Sequence, residues 1–174
     1  RAEDAPIMAF SVAEDELRGM DTSALVGHLA AWNYYQSVDT PQNKQFVANF
    51  KAYCKKNNLP DGEKRVTDDP IEAAYFGVHI WKQAVEKAGS AEVDKVRKAV
   101  YGSKFLAPGG EVMMDAANHH TYRPVLIGEI LKDGQFKVVS RSKGLVKPEP
   151  WSEYTNPDKG CDWIAHQGTY SKKS

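Results

Sequence analysis

The chain's histidines, cysteines and isolated serines are its candidates for chemistry, and their spacing decides how far each can be taken. Asp115-Ala116-Ala117-Asn118-His119-His120 puts a carboxylate and two imidazoles in one short segment. Adjacent side chains on extended backbone point to opposite faces, so a single metal takes both histidines only through a special turn. No third ligand stands at a diagnostic spacing and no H-E-x-x-H occurs. The segment therefore reads as a structural turn, with a metal-dependent hydrolase on Asp115, His119 and His120 as the competing reading. Cys54 and Cys161 are too few for a disulfide scaffold and too far apart for a zinc-ligand spacing, although one bridge remains open. Ser11 has no G-x-S-x-G elbow around it and reads as a helix cap, not a nucleophile. It has a third possible role, because a residue where a strand's carboxyl end meets a helix sits where α/β sheets bind ligands. Pro108-Gly109-Gly110 is not followed by G-K-[ST] and reads as a turn or hinge. Trp32, Tyr34 and Tyr35 could line a small pocket, but aromatics on a strand more often fill a core. No catalytic residue, metal or cofactor is assigned.

The elements that must position these residues follow from periodicity. Pro6-Ile7-Met8-Ala9-Phe10 is an apolar run predicted as a buried strand, leading into a short helix over 13–19. Ser11-Val12-Ala13-Glu14 has the pattern of a capping box for that helix. Residues 25–35 read as a second strand, although their composition also permits a helix. Thr40 and Pro41 open a helix with Phe46, Val47, Phe50, Tyr53 and Cys54 on one stripe, ending near Lys56. The clearest helix is 70–88, with Asp69 as cap, Pro70 at the first turn and Glu72 three residues on. Its apolar period runs Ile71, Ala74, Tyr75, Val78, Trp81, Val85, and Gly89 closes it. A short helix over 91–101 follows, with Ser90 as its cap. Residues 111–115, 124–131 and 135–140 are then extended, and Asp133-Gly134 between the last two is a hairpin signal. The fold class is α/β. Beyond Lys147 prolines and glycine break every pattern, and an irregular tail is expected to lie on a surface through Trp151, Tyr154 and Trp163.

Composition narrows the partners. In 174 residues, Lys+Arg 23 balances Asp+Glu 23, so no basic excess marks a nucleic-acid binder and no polybasic stretch marks a membrane anchor. Hydrophobic residues at 41% and charged ones at 26% are ordinary for a globular chain. No apolar run approaches the ~20 residues of a membrane span. The start at Arg1, without Met or an apolar leader, reads as a processed or truncated product.

"PIMAFSVAEDELRGM", "SVDTPQNKQFVANF", "VTDDPIEAAYFGVHIWKQAVEKAGS" and "FLAPGGEVMMDAANHHTYRPVLIGEILKDGQFKVV" follow one another along residues 3–150. This series resembles the carboxyl-terminal half of the type I periplasmic binding-protein family, in its urea and short-chain amide branch, the substrate-binding proteins of urea ABC transporters. The resemblance implies a partial fold: pieces of two α/β lobes joined by hinge crossings, ending in a β-hairpin and the irregular tail. On that reading 1–35 is a second-lobe strand-helix-strand piece, and 36–103 is a helical segment packing on the first lobe. Residues 104–146 would hold the return crossing, near Phe105–Gly110, and the second-lobe hairpin, and 147–174 the tail. Phe10, Ser11 and Val12 match the turn that the second lobe presents to its ligand. Family members that bind amino acids have an acidic residue there, and the neutral Ser11 fits urea or an amide. Tyr34 and Tyr35, near the hinge, are weaker ligand candidates. The implied function is a non-enzymatic solute-binding protein, periplasmic or extracellular, delivering urea or a short amide to an ABC transporter. Its expected partners are the permease subunits or a missing first-lobe segment. The alternatives are an amide-sensing regulatory subunit and a truncated paralogue acting as a structural or interaction subunit.

Overall fold

In a computed structural model, residues 1–149 are described, and the tail aromatics lie outside them. Asp68, Pro70 and Gly89 set the bounds of the longest element, the helix α3 (Asp69–Ala88). The cap stands one residue earlier than the sequence pattern suggests. Asp68 accepts from Ile71 N at 2.9 Å, which frees Asp69 and Glu72 for work elsewhere. Gly89 ends α3 in the left-handed region (φ 60°), where a side chain would be strained. Thr40 caps α2 (Pro41–Lys56) through a bond from Asn43 N, with Pro41 at the first turn.

The other elements are β1 (Met8–Ala9), α1 (Glu14–Leu17), β2 (Leu29–Trp32), α4 (Val93–Ala99), β3 (Lys104–Ala107), β4 (Gly110–Met114), β5 (Thr121–Tyr122), β6 (Leu126–Ile130) and β7 (Phe136–Arg141). They form two sheets. One has the order β1-β2-β6-β7, with β1 parallel to β2 and the remaining pairs antiparallel. The other is antiparallel, β3-β4-β5.

The four-stranded half comprises β1, α1, β2, β6 and β7. Its core is Leu17, Ala30, Tyr35, Val38, Leu126, Ile130 and Phe136. Alternate residues of β6 point into it, as the period of a half-buried strand requires. Gly128 lies where Tyr35 stacks on Phe136 with ring centroids 4.5 Å apart. A Cβ at Gly128 would stand 2.7 Å from the Tyr35 ring, so only glycine lets the strand pass. The helical half comprises α2, α3, α4 and β3-β4-β5, with a smaller core of Phe76, Ile80, Ala107 and Val112. It is an insertion: the chain leaves β2 through residues 33–40 and returns to β6 through 123–125. Phe105–Gly110, expected as the return crossing, instead forms β3 and its tight turn into β4.

Candidate functional site

Phe10, Ser11 and Val12 lie between the carboxyl end of β1 and α1, as the sequence places them. Phe10 is 70% exposed, Ser11 is exposed, and Val12 is half-buried with its carbonyl accepting from Trp32 Nε1 at 2.9 Å. The cap of α1 differs from the expected box. Ala13, which has no side-chain oxygen, is the N-cap residue, and Glu16 reaches back to Ala13 N at 2.7 Å. Ser11 therefore stands outside the cap, with its hydroxyl on the exposed turn.

Glu14, expected to take that reach-back role, is fully buried. Its Oε1 accepts from Gln36 N on the first crossing segment at 2.6 Å. Its Oε2 is buried without a partner among the described residues. Burial pushes the Glu14 carboxyl up to about 8, with the charges of Asp68 and Asp69 adding to the rise.

Tyr34 and Tyr35 are both 0% exposed. The Tyr34 hydroxyl lies 2.6 Å from Asn43 Oδ1 and 2.8 Å from Thr67 Oγ1. Tyr35 donates to Ala30 O at 2.6 Å. Burial drives both phenols above the usual range. Neither presents a surface to a ligand. They knit the first crossing into the fold, as the core reading of this aromatic cluster expects.

A polar seam joins the two halves around them. Asn43 Nδ2 holds the Gln36 and Val38 carbonyls, and Gln36 Oε1 accepts from Thr67 N at 2.9 Å. Gln36 Nε2 donates to Gln135 Oε1 at 2.9 Å. Asp69 Oδ2 accepts from Asn33 N at 2.9 Å, while Asn33 Nδ2 holds the Pro124 carbonyl of the return crossing at 2.7 Å. Arg123 forks onto Asp69 and Glu72, and its guanidinium lies 5.1 Å from the centre of the Phe76 ring. This fork is planar, charge-assisted and nearly buried, the geometry in which Arg is not replaceable by Lys. Glu72 Oε1 also accepts from Gly109 N at 2.7 Å, where a Cβ would stand only 3.0 Å from that oxygen. Burial raises the Glu72 carboxyl, against the pull of Arg123 and the Gly109 amide.

The Asp115–His120 segment is a turn. Asp115 Oδ1 accepts from Ala117 N at 2.7 Å, and His119 packs on Tyr101 with centroids 4.5 Å apart. Among the described residues no three His, Cys, Asp or Glu side chains are placed to hold a metal ion. Also among them, no helix is long and apolar enough to cross a membrane. Sequence reasoning missed the seam acids. Asp-Asp-Pro-x-Glu holds more carboxylates than one cap can use, and that excess was the available signal.

The periplasmic binding protein domain family matches residues 1–157. The chain belongs to that family. A curated relative from Brucella abortus, Leu/Ile/Val-binding protein homolog 6, is 28% identical over 126 residues, covering 71% of this chain and 30% of its own length. A Geobacillus stearothermophilus protein named limonene hydroxylase is 29% identical over 131 residues, 75% of this chain and 23% of its own. Among solved structures, a solute-binding protein of an ABC transporter from Rhodopseudomonas palustris HaA2, in complex with p-hydroxybenzoic acid, superposes with TM-score 0.67 at 28% identity. That superposition covers 83% of this chain and 39% of the other. The chain thus spans less than half the length of these relatives. Its mixed α/β architecture is a partial version of the family fold.

Proposed function

We propose that this chain is part of a periplasmic solute-binding protein that hands a small neutral solute, urea or a short-chain amide, to an ABC permease, without catalysing a reaction. The observation that carries this reading is the exposed turn Phe10–Ser11 at the carboxyl end of β1, in a chain of the binding-protein family. That turn and the strand before it, Pro6 to Ala13, contain no ionisable side chain. An uncharged ligand needs hydrogen-bond partners and an apolar wall, which Ser11 and Phe10 supply, with Val12 behind them. A carboxylate-bearing solute calls for a cation or several amides, and the turn has no Lys or Arg. Tyr35 belongs to the core cluster against which Val12 packs, and closure of the two halves about the crossings buries the solute. The hydroxylase name attaches to a protein of which these residues match 23%, so it brings no activity to this chain.

The proposed partners are the permease and the first-lobe segment of such a protein. The exposed Tyr75, Val78 and Trp81 of α3 support the second of these. A helix apolar on more than one face is normally covered.

A thermal-shift series on the chain with urea, formamide, acetamide, leucine and 4-hydroxybenzoate tests the reading. A micromolar site raises stability by about 4 kcal/mol at a thousandfold excess. A shift with urea or acetamide alone supports the proposal. A shift with leucine or 4-hydroxybenzoate replaces the neutral solute with a carboxylate one. No shift at all favours the truncated structural or interaction subunit, since an amide-sensing subunit would also be stabilised by its amide.

A further inference from the structure

We propose that α1 is a proton-responsive clasp between the two halves, with Glu14 as the group that opens it. The helix is tied across the seam at both ends. At its start, Glu14 Oε1 holds Gln36 N on the first crossing. Just past its end, Arg18 forks onto Asp15 and onto Asp61, which lies in the helical half beyond α2. Between these ties Leu17 anchors α1 in the four-stranded core. The short helix thus holds the first crossing through Glu14 and the helical half through Arg18.

The two ties respond to pH differently. Asp61 and Asp15 raise the Arg18 guanidinium further above its usual value, so the outer tie keeps its cation as pH rises. Glu14 faces Asp68 and Asp69 from the start of α3, and Tyr34, Tyr35 and the Gln36 amide from the crossing. From its own helix, Asp15 and Glu16 act on Asp68. Arg123, a guanidinium of the same seam, is committed to Asp69 and Glu72. The neutral Glu14 acid fits this acidic, dry setting. When it gives its proton to solvent, the buried carboxylate has only the Gln36 amide and its own amide to set against burial and two facing carboxylates. Separation from the crossing, with water entering, relieves that repulsion. Burial holds the closed-state carboxyl up to about 8, and the open, hydrated state returns it towards 4.5. By linkage, protons favour the closed clasp, and opening rises by about tenfold per pH unit between those values, levelling above them.

The proposal concerns the seam and needs no solute, so its test stands apart from that of the ligand. Hydrogen exchange of residues 12–18 and 34–38 is compared in the unmodified chain and in Glu14→Gln, both at each pH from 5 to 9. Taking the ratio at equal pH cancels intrinsic exchange and the other seam acids. Protection of the unmodified chain relative to Glu14→Gln is expected to fall at least tenfold between pH 5.5 and 7.5 in these two segments, with no such change in residues 126–141. A constant ratio overturns the proposal, and so does an equal change in residues 126–141, which would mean global loosening. Arg18→Gln covers the case in which Glu14→Gln does not fold. It is expected to lower protection of residues 12–18 by a similar factor at every pH while leaving the pH dependence in place. Loss of that dependence in Arg18→Gln overturns the proposal.

Discussion

In the four-stranded half Leu17, Leu126, Ile130 and Phe136 are each at most 3% exposed, closed in by α1 and by the stacked Tyr35. In the helical half Phe76 and Ile80 are buried, yet Val78 and Trp81 of the same helix are 65% and 55% exposed. Both halves carry exposed apolar side chains, Ile7, Phe10 and Val139 in one and Tyr75, Val78 and Trp81 in the other, but the four-stranded half has the larger buried cluster. The four-stranded half behaves as a finished core. The helical half is held in shape by α4, β3 and β4 packed on α3, and from the seam by Asp69, Glu72 and Arg123.

The largest expected effects test what holds each half. Arg123→Ala leaves Asp69 and Glu72 buried without their cation and should cost about 3–5 kcal/mol in a urea melt. A cost below 1 kcal/mol would remove the seam from the account of stability. Phe136→Ala should also cost about 3–5 kcal/mol, since it empties the space against Tyr35 and Gly128. Ile80→Ala, in the thinner core, is expected at the low end of the 2–5 range, about 2 kcal/mol. If Ile80→Ala proves as costly as Phe136→Ala, the two cores are equally closed and the contrast fails. Tyr34→Phe removes the hydroxyl shared by Asn43 and Thr67 and should cost about 1–3 kcal/mol. The smallest effect belongs to the uncovered face. Val78→Lys should change the stability of the chain by less than about 0.5 kcal/mol, because the side chain touches solvent. The same substitution should abolish co-purification with a first-lobe segment supplied in trans. Undiminished co-purification would place the covering surface elsewhere.

Local signals were legible in the sequence wherever the deciding interactions are local. Pro70, the apolar period and Gly89 mark α3 within a residue of its bounds, and Asp133-Gly134 marks the β6–β7 hairpin, with Gly134 at φ 76°. Thr40-Pro41 marks the start of α2. β3 and β5 escaped because they are four and two residues long and become strands only by pairing with β4. The predicted second strand, 25–35, shrinks to Leu29–Trp32, since pairing with β6 ends where the crossing begins. Glu14, Asp69 and Glu72 were misread for one reason. An acid near a helix start satisfies a capping pattern, and nothing local shows that its true partner, Gln36 or Arg123, lies far along the chain. Phe10 and Ser11 were legible as a strand-to-helix turn because that feature is local too.

The insertion of the helical half between β2 and β6 has a consequence for the order in which the molecule comes into being. Leu29 pairs with Glu129, about a hundred residues further on, so the central ladder of the sheet closes a very long loop. As the chain emerges from the ribosome, β2 is made before its partner β6, and that side of it waits unpaired while α2, α3 and α4 are synthesised. At ordinary rates of ~5–20 residues per second that wait lasts roughly 5–20 seconds, whereas a helix forms in about a microsecond. The inserted helices therefore have time to form before the β2–β6 ladder can close, so a sheet whose strands flank the helical half in sequence is completed only after that half has been made.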